Sequence, residues 1–443
     1  MIPPCAFLID DRVFPFLGPL VIGAIARFHG EVRVSDLTGY KRRHPEIVHA
    51  PAEDVEREAA AQLSRELSDW RPDFVGFYSL AAQHSMVVRL LAIAKEAAPQ
   101  ARTLLGGPHA NSAPDRCAEE GFDHIVVADQ GGGGGEPGFL KALLPDAPTI
   151  IKEPSRAWDS DFWPLPARDL IDLPSYRYDL KGERATSIIS TFGCPYACTY
   201  CSHWEGYRKL EMKSAARVNE ELLSIKRDYG IMSVMDYSDE INLRTDFTSE
   251  FLPMMRRWGG TWRAFFKNGK NLTRPEVFEA MAAAGCVELC TGAESANAKI
   301  LKDIKKGATR ENNTDFVRYC TQFGIQSKVF TQVGLPGETP ESVAELRDWI
   351  VNELAPLGLG GFDVSITNPY EGTPIYDEPE KHAIAFDREK VRLGLYKGIP
   401  GAYVSNVSHP KLTAADLVAA RQWVEDEGRK ALGLKPLLAK DDG

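Results

Sequence analysis

The sequence predicts an α/β protein. A doubly wound parallel sheet comes first, then a partial parallel barrel of about six βα units, then a short helical C-terminal segment. Three observations lead there. Apolar runs of strand length alternate with amphipathic runs of helix length. The alternation breaks once, in a stretch carrying Pro145, Pro148, Pro154, Pro164, Pro166 and Pro174. It then resumes at Thr186 and lasts longer than before.

In the first part, CAFLID (5–10) is a short apolar run, and LGPLVIGAIARF (17–28) has helical length with Gly30 as its stop. EVRVSDL (31–37) alternates as a strand does. Residues 52–70 read as a polar helix ending before Pro72. DFVGFYS (73–79), TLLGG (103–107) and HIVVAD (124–129) read as strands, with SMVVRLLAIAKEAA (85–98) as an amphipathic helix among them. After the break, strands are expected at 186–191, 233–238, 262–267, 287–292, 327–333 and 362–367. Helices are expected at 215–229, 246–257, 275–284, 297–322, 340–353 and 413–430. The expected division is 1–140, a linker at 141–185, a barrel at 186–376 and a C-terminal cap or substrate region at 377–443.

Composition narrows the function. The 443 residues hold 52 Lys and Arg against 62 Asp and Glu, a net charge of −10. Such a chain is poorly suited to coating nucleic acid or an anionic membrane. No apolar run reaches the ~20 residues of a membrane span, and the N-terminus lacks the pattern of a signal peptide. A cytoplasmic location is expected, where the 8 cysteines are poor material for a disulfide scaffold.

Three of those cysteines crowd together in GCPYACTYCSHW, as Cys194-x3-Cys198-x2-Cys201 after the first expected barrel strand. Three thiolates so spaced can wrap one corner of an iron–sulfur cubane. With no fourth cysteine in the loop, one iron stays open to a ligand that is not protein. Zinc is the chemical rival, with His203 near enough in sequence to join it. Cys286 and Cys290 read as buried thiols.

The loop, with Tyr200 before its last cysteine, resembles the radical S-adenosylmethionine (SAM) superfamily over residues 186–376. The resemblance implies a 4Fe-4S cluster on Cys194, Cys198 and Cys201, with SAM on the open iron and Tyr200 near the adenine. It implies SAM contacts from Ser238, Asp239 and Glu240 after the second strand, from Glu294 and Ser295 after the fourth, and from Gly334 in GLPGET after the fifth. Lys267, Lys328 and Gln332 are candidates for the SAM carboxylate or the substrate, or for an ion pair at the barrel mouth. The N-terminal part resembles the Rossmann-type cobalamin-binding domain found ahead of many such barrels, through GGPHA and the loop after the preceding strand. Its implied cobalamin contacts are Ser79, Gln83, Gly106, Gly107, His109 and Gln130. The chain lacks the Asp-x-His-x-x-Gly motif of other cobalamin proteins and has five glycines at 131–135, where relatives carry charged residues.

Three readings stay open at this stage. One is cobalamin-dependent methylation, or related radical chemistry, on a small molecule. Another is cobalamin-independent transfer of the 3-amino-3-carboxypropyl group of SAM. The last is a sensor without turnover. The first two imply a single-electron donor such as a flavodoxin or ferredoxin.

Overall fold

The protein is described by a computed structural model covering residues 15–37, 44, 52–128, 135–153, 161–202, 209–392 and 403–436. The expected strand 5–10, Gln130, glycines 131–134 and His203 lie outside the described residues. Grouped by contacts, the chain forms two compact units, residues 1–193 with 204–233, and residues 194–203 with 234–443. The cysteine loop therefore belongs to the second unit, while the first expected barrel strand belongs to the first.

In the first unit, strands β1 (Phe74–Tyr78), β2 (Arg102–Gly106), β3 (His124–Ala128) and β4 (Ile150–Glu153) form a parallel sheet in that order. Helices cover both faces. Val75, Phe77, Leu105, Ile125 and Val127 pack in one core with α2 (Ala52–Trp70) and α3 (His84–Ala97). Leu104, Val126 and Ile151 point the other way, the period-two split of a sheet buried on both sides. There α6 (Gly135–Ala142) packs on β3 and β4 and touches α1 (Leu17–Ala26). Short helices α4 (Pro108–Ser112) and α5 (Pro114–Glu119) follow β2.

Two expectations change here. Residues 31–37 form no strand. Their side chains tie down an extended segment instead, with Ser35 donating to Glu66 (2.6 Å), Asp36 accepting from Tyr176 (2.7 Å) and Leu37 fully buried. The stretch 141–185 is more than a connector, because it supplies β4 and leads into a hairpin of β5 (Tyr178–Leu180) and β6 (Glu183–Ile188).

A buried charge cluster anchors α7 (Ala215–Tyr229), whose N-terminus Ser214 caps. Glu221 accepts from Arg168 (2.6 Å) and Lys213 (2.9 Å), and all three side chains are nearly or fully buried. Burial opposes the Glu221 charge, but the two cations outweigh it and hold the carboxyl at about 2. The folded pKa lies below the ordinary 4.5, so this stabilisation is complete above pH 4.5 and is lost as pH falls towards 2. It is worth about 3 kcal/mol. Glu221→Gln is expected to remove most of that acid sensitivity and lower stability at pH 7 by a similar amount, as read by denaturant unfolding at both pH values.

In the second unit, β7 (Ser233–Asp236), β8 (Thr261–Phe265), β9 (Cys286–Glu294), β10 (Gln326–Val333) and β11 (Gly361–Ile366) lie side by side in chain order. The registered pairs among β8 to β11 are parallel. These are five of the six strands expected of the partial barrel; the other, β6, belongs to the first unit. The helices between them are α8 (Leu252–Trp258), α9 (Pro275–Ala283), α10 (Ala298–Asp303), α11 (Arg310–Gln322) and α12 (Pro340–Trp349). Phe266, Phe278 and Phe316 pack ring to ring between sheet and helices. The terminal helix α13 (Ala414–Ala431) packs on β10 and β11. No helix among the described residues is long and apolar enough to cross a membrane.

Candidate functional site

In the second unit, the cysteine loop is bound to neighbouring backbone. Thr199 N–H donates to Ile304 O (3.1 Å), and Ile375 N–H donates to Thr199 O (3.2 Å). Cys194, Cys198 and Cys201 are each half-buried and free of disulfides. Burial pushes the Cys194 thiol up to about 11, with Glu240 and Asp239 adding to the effect. A tetrahedral zinc holds its sulfurs at about 2.3 Å, which draws the ligand atoms close together. Among the described residues, the grouping that compact is His84, His109 and Cys117, not the three loop cysteines.

Glu294 ends β9 and stands at the centre of a hydrogen-bonded chain. It accepts from Lys306 Nζ (3.0 Å) and from Gln332 Nε2 (2.7 Å). Lys306 also donates to the Tyr200 hydroxyl (3.3 Å), and Thr367 donates to Gln332 Oε1 (3.2 Å). The β9–β10 register shifts between Gly292 and Glu294, and Glu294 sits at φ +65°. A left-handed non-glycine residue costs on the order of 1–3 kcal/mol and persists only where its surroundings enforce it. Gly292 is part of that enforcement, since a Cβ there would lie 2.2 Å from Glu294 Oε1 and 3.0 Å from Lys306 Nζ. Burial opposes the Lys306 charge, but Glu294 more than restores it and keeps the ammonium above its usual value. Tyr200 packs on Ile300, Leu301, Ile304 and Leu335.

A second buried lysine lies under the loop. Lys267 Nζ stands 4.4 Å from the Tyr196 ring centroid and donates to the carbonyls of Asn268 (3.0 Å) and Lys306 (2.9 Å). Burial and the neighbouring Lys306 push it down to about 8. Asn242 clamps the Lys267 backbone from both sides (2.8 and 3.0 Å). Burial lifts the Glu240 carboxyl to about 7, against the pull of Lys306 and Lys267 and with Asp239 and Glu294 adding to the rise.

The structure thus brings Cys194, Cys198, Tyr200, Asp239, Glu240, Lys267, Glu294 and Gln332 into one electrostatic neighbourhood. Other expected residues are occupied differently. Ser238 is fully buried and donates to Asp236 (2.5 Å). Ser295 Oγ accepts from Asn297 N–H (3.1 Å), at the cap of α10. Gly334 N–H donates to Glu338 (3.2 Å), and its carbonyl meets His409 Nε2 (2.8 Å). Lys328 pairs with Asp363 (3.2 Å), as the ion-pair alternative anticipated. Cys290 is a buried thiol pushed up to about 12 by burial. Sequence reasoning missed Lys306 and Tyr196. The available signal was Gly307 after two lysines, at φ +71°, with the Tyr196 ring 3.0 Å from where its Cβ would be.

The first unit holds a cavity of about 770 Å³ on the α1 and α6 face of its sheet. Gly106, Gly107, Tyr78 and Asn111 line it near the carboxyl ends of the strands, and Trp70, Lys213 and Arg217 line it elsewhere. Ser79, Gln83 and His109 are buried behind that surface and do not line the cavity. They build the turn instead. Ser79 N–H donates to Gly106 O (2.9 Å), and His109 N–H donates to Ser79 O (3.1 Å). Ser79 Oγ bonds His84 Nδ1 (2.9 Å), whose other nitrogen bonds Glu120 (2.5 Å), while the His84 and His109 rings lie 3.9 Å apart. Gly107 sits at φ +101°, and a Cβ there would lie 2.8 Å from Ser79 O. Gly107→Ala is expected to destabilise by about 1–3 kcal/mol and deform the cavity edge, as read by thermal unfolding.

Comparison with known proteins fits this geometry. The radical SAM superfamily model matches residues 188–350, and the B12 binding domain model matches residues 17–132. The chain is 25% identical over 355 residues to an uncharacterized methyltransferase of Pyrococcus horikoshii, covering 75% of this chain and 74% of that one. It is 25% identical over 338 residues to the cytidylyl-2-hydroxyethylphosphonate methyltransferase of Streptomyces wedmorensis, covering 63% and 62%. The fold resembles that of the radical SAM methyltransferase TsrM from Kitasatospora setae, solved with cobalamin and a 4Fe-4S cluster bound. There the TM-score is 0.66 and the identity 17%, over 97% of this chain and 90% of that one. The chain thus carries a B12-binding domain over residues 17–132, followed by a radical SAM domain over residues 188–350.

Proposed function

We propose that the protein is a cobalamin-dependent radical SAM enzyme that methylates a small molecule, with its cluster on Cys194, Cys198 and Cys201. The observation that carries this reading is the meeting, in one compact unit, of the three-cysteine loop with the Tyr200–Lys306–Glu294–Gln332 chain. When bound, the cluster with SAM supplies one-electron cleavage of a sulfonium, and cobalamin supplies a methyl carrier; no side chain is basic enough to activate an unreactive carbon.

The chain's own residues bind and orient. Cys194, Cys198 and Cys201 would hold a cluster through three of its irons and leave the last open to SAM. Asp239 and Glu240 are a pair of carboxylates suited to an ammonium. Glu294, held in one rotamer by Lys306 and Gln332, offers two acceptor oxygens for vicinal hydroxyls. Tyr200 and the aliphatic cluster beneath it form an apolar shelf for a flat base. Ser295, Gly334 and Ser238 act by shaping the loops around these groups. Lys267 places a cation beside the cysteine loop.

The cavity of the first unit fits a cobalamin. It holds about 770 Å³ and runs along the sheet face to the strand carboxyl ends, where its Gly106–Gly107 edge lets backbone approach a bulky ligand. Ser79, Gln83 and His109 support that edge from behind. The expected partners are a small-molecule substrate and a single-electron donor such as a flavodoxin or ferredoxin. The expected location is the cytoplasm.

Product analysis tests the reaction type. Anaerobic turnover with SAM, reductant and cobalamin should release S-adenosylhomocysteine and 5′-deoxyadenosine. Methylthioadenosine as the main product would instead mark carboxypropyl transfer and overturn the proposal.

A further inference from the structure

One face of the second unit's sheet remains to be assigned. Trp262, Ala264 and Phe266 turn towards the helices and are fully buried. Arg263 and Phe265 therefore point to the opposite face. Glu288, Cys290, Lys328, Phe330, Gln332 and Asp363 share that face through the strand registers.

The face is layered. Gln332 and Glu294 form the layer nearest the cysteine loop. Phe330 lies two residues before Gln332, and Phe265 two before Lys267. Phe330 is thus about 7 Å further along its strand than Gln332, and Phe265, in register with Cys290 and Lys328, lies one such step further again. The rings form a row, with Tyr237 and Phe265 at 5.8 Å edge-on and Phe265 and Phe330 at 6.0 Å. Tyr237 is 41% exposed, and the other two rings are half-buried. Beneath and beside the rings are two ion pairs, Arg263–Glu288 (3.0 Å) and Lys328–Asp363 (3.2 Å). Lys328 Nζ is 5.5 Å from the Phe330 centroid, so charge and ring layers adjoin. Gly361, opposite Lys328, has nothing within 4 Å of where a Cβ would be, which leaves room beside the charges.

Resting on the SAM-site reading above, we infer that the substrate is a flat aromatic ring compound bearing both an ammonium and a carboxylate. Its ring lies on Tyr237, Phe265 and Phe330, and its charged end meets the Arg263–Glu288 and Lys328–Asp363 pairs. A row of rings at edge-to-face spacing accepts another ring better than it accepts an alkyl chain. The two pairs place cation beside anion, so a ligand of one sign would be opposed by half of them, whereas a zwitterion is matched by both. A neutral ligand would bury the pairs without new partners. The Arg263–Glu288 pair lies one strand step beyond Phe265 on the side away from Glu294, and the Lys328–Asp363 pair lies level with the rings, so the charged end meets one pair at its tip and the other at its side.

The test is equilibrium dialysis of L-tryptophan, L-phenylalanine, L-leucine and indole against the full chain, reconstituted anaerobically and saturated with SAM. An aromatic amino acid should bind at least about tenfold tighter than L-leucine or indole. Phe330→Leu and Lys328→Met should each remove most of that preference while iron content stays at the wild-type value. Equal binding of L-leucine, equal binding of indole, or a preference unchanged in both variants would overturn the inference. Iron content and SAM cleavage measured on the same samples separate the two levels. If both are intact and no ring preference exists, the inference alone fails; if the chain loads no iron, the reading beneath it fails as well.

Discussion

Cys198→Ala is expected to reduce bound iron from about four atoms per chain to near zero and to abolish SAM cleavage. The loop provides three thiols and a tight backbone path, tied to Ile304 and Ile375 through Thr199. Removing one thiolate leaves two protein ligands for a cluster that needs three, and the open position no longer exists as a single defined site. Cys198 Sγ lies only 3.6 Å from Lys305 O and is half-buried, so the substitution should cost the fold little. Iron analysis with a thermal melt of the metal-free chain separates loss of ligation from loss of folding. Cys290→Ala and Cys320→Ala, both at fully buried positions outside the loop, should keep the iron.

Glu294→Ala is expected to be among the most damaging single changes in the second unit. It leaves Lys306, nearly buried, without its carboxylate, and a buried charge stripped of its partner costs about 3–5 kcal/mol. It also takes the acceptor from Gln332 Nε2. For a unit of this size the melting temperature should fall on the order of 10 °C. Glu294→Gln keeps acceptor oxygen for Lys306 and should lose less stability, yet SAM affinity should still fall by about tenfold or more because the charged acceptor for the ribose is gone. Combining Glu294→Ala with Lys306→Met should cost less than the sum of the two single changes. Strict additivity would show that the pair is not coupled.

The barrel strands were legible as short apolar runs between turn residues, alternating in β8 and β10 and continuously buried in β7 and from Ala185 on in β6. The helices were legible through their amphipathic periodicity, but the capping boxes of Thr309 and Thr339 were not read, and the first of them divides the expected helix 297–322 into α10 and α11. Residues 31–37 alternate equally well, yet alternation reports one-sided burial rather than pairing, and here side chains hold the segment without a neighbouring strand. Strand β4 was hidden because it has only four residues between prolines 148 and 154.

The site divides in the same way. The cysteines and Glu294 stand in short contiguous motifs. Lys306 lies twelve residues from Glu294, at the end of a helical segment where a lysine ordinarily reads as a solvated charge. Only the fold turns it inward. Ser79 and His109 mark the right turn, but the sequence did not reveal that they brace it from behind while Gly106 and Gly107 face the cavity.

The central claim is that one chain joins a cluster with an open iron to a corrinoid. The most direct test is the iron and corrinoid content after anaerobic reconstitution and desalting, on the wild type and on Cys198→Ala. The account predicts about four irons and about one corrinoid per wild-type chain, with the corrinoid kept and the iron lost in the variant. A wild-type chain that holds one zinc in place of iron, or iron with no corrinoid, would contradict it.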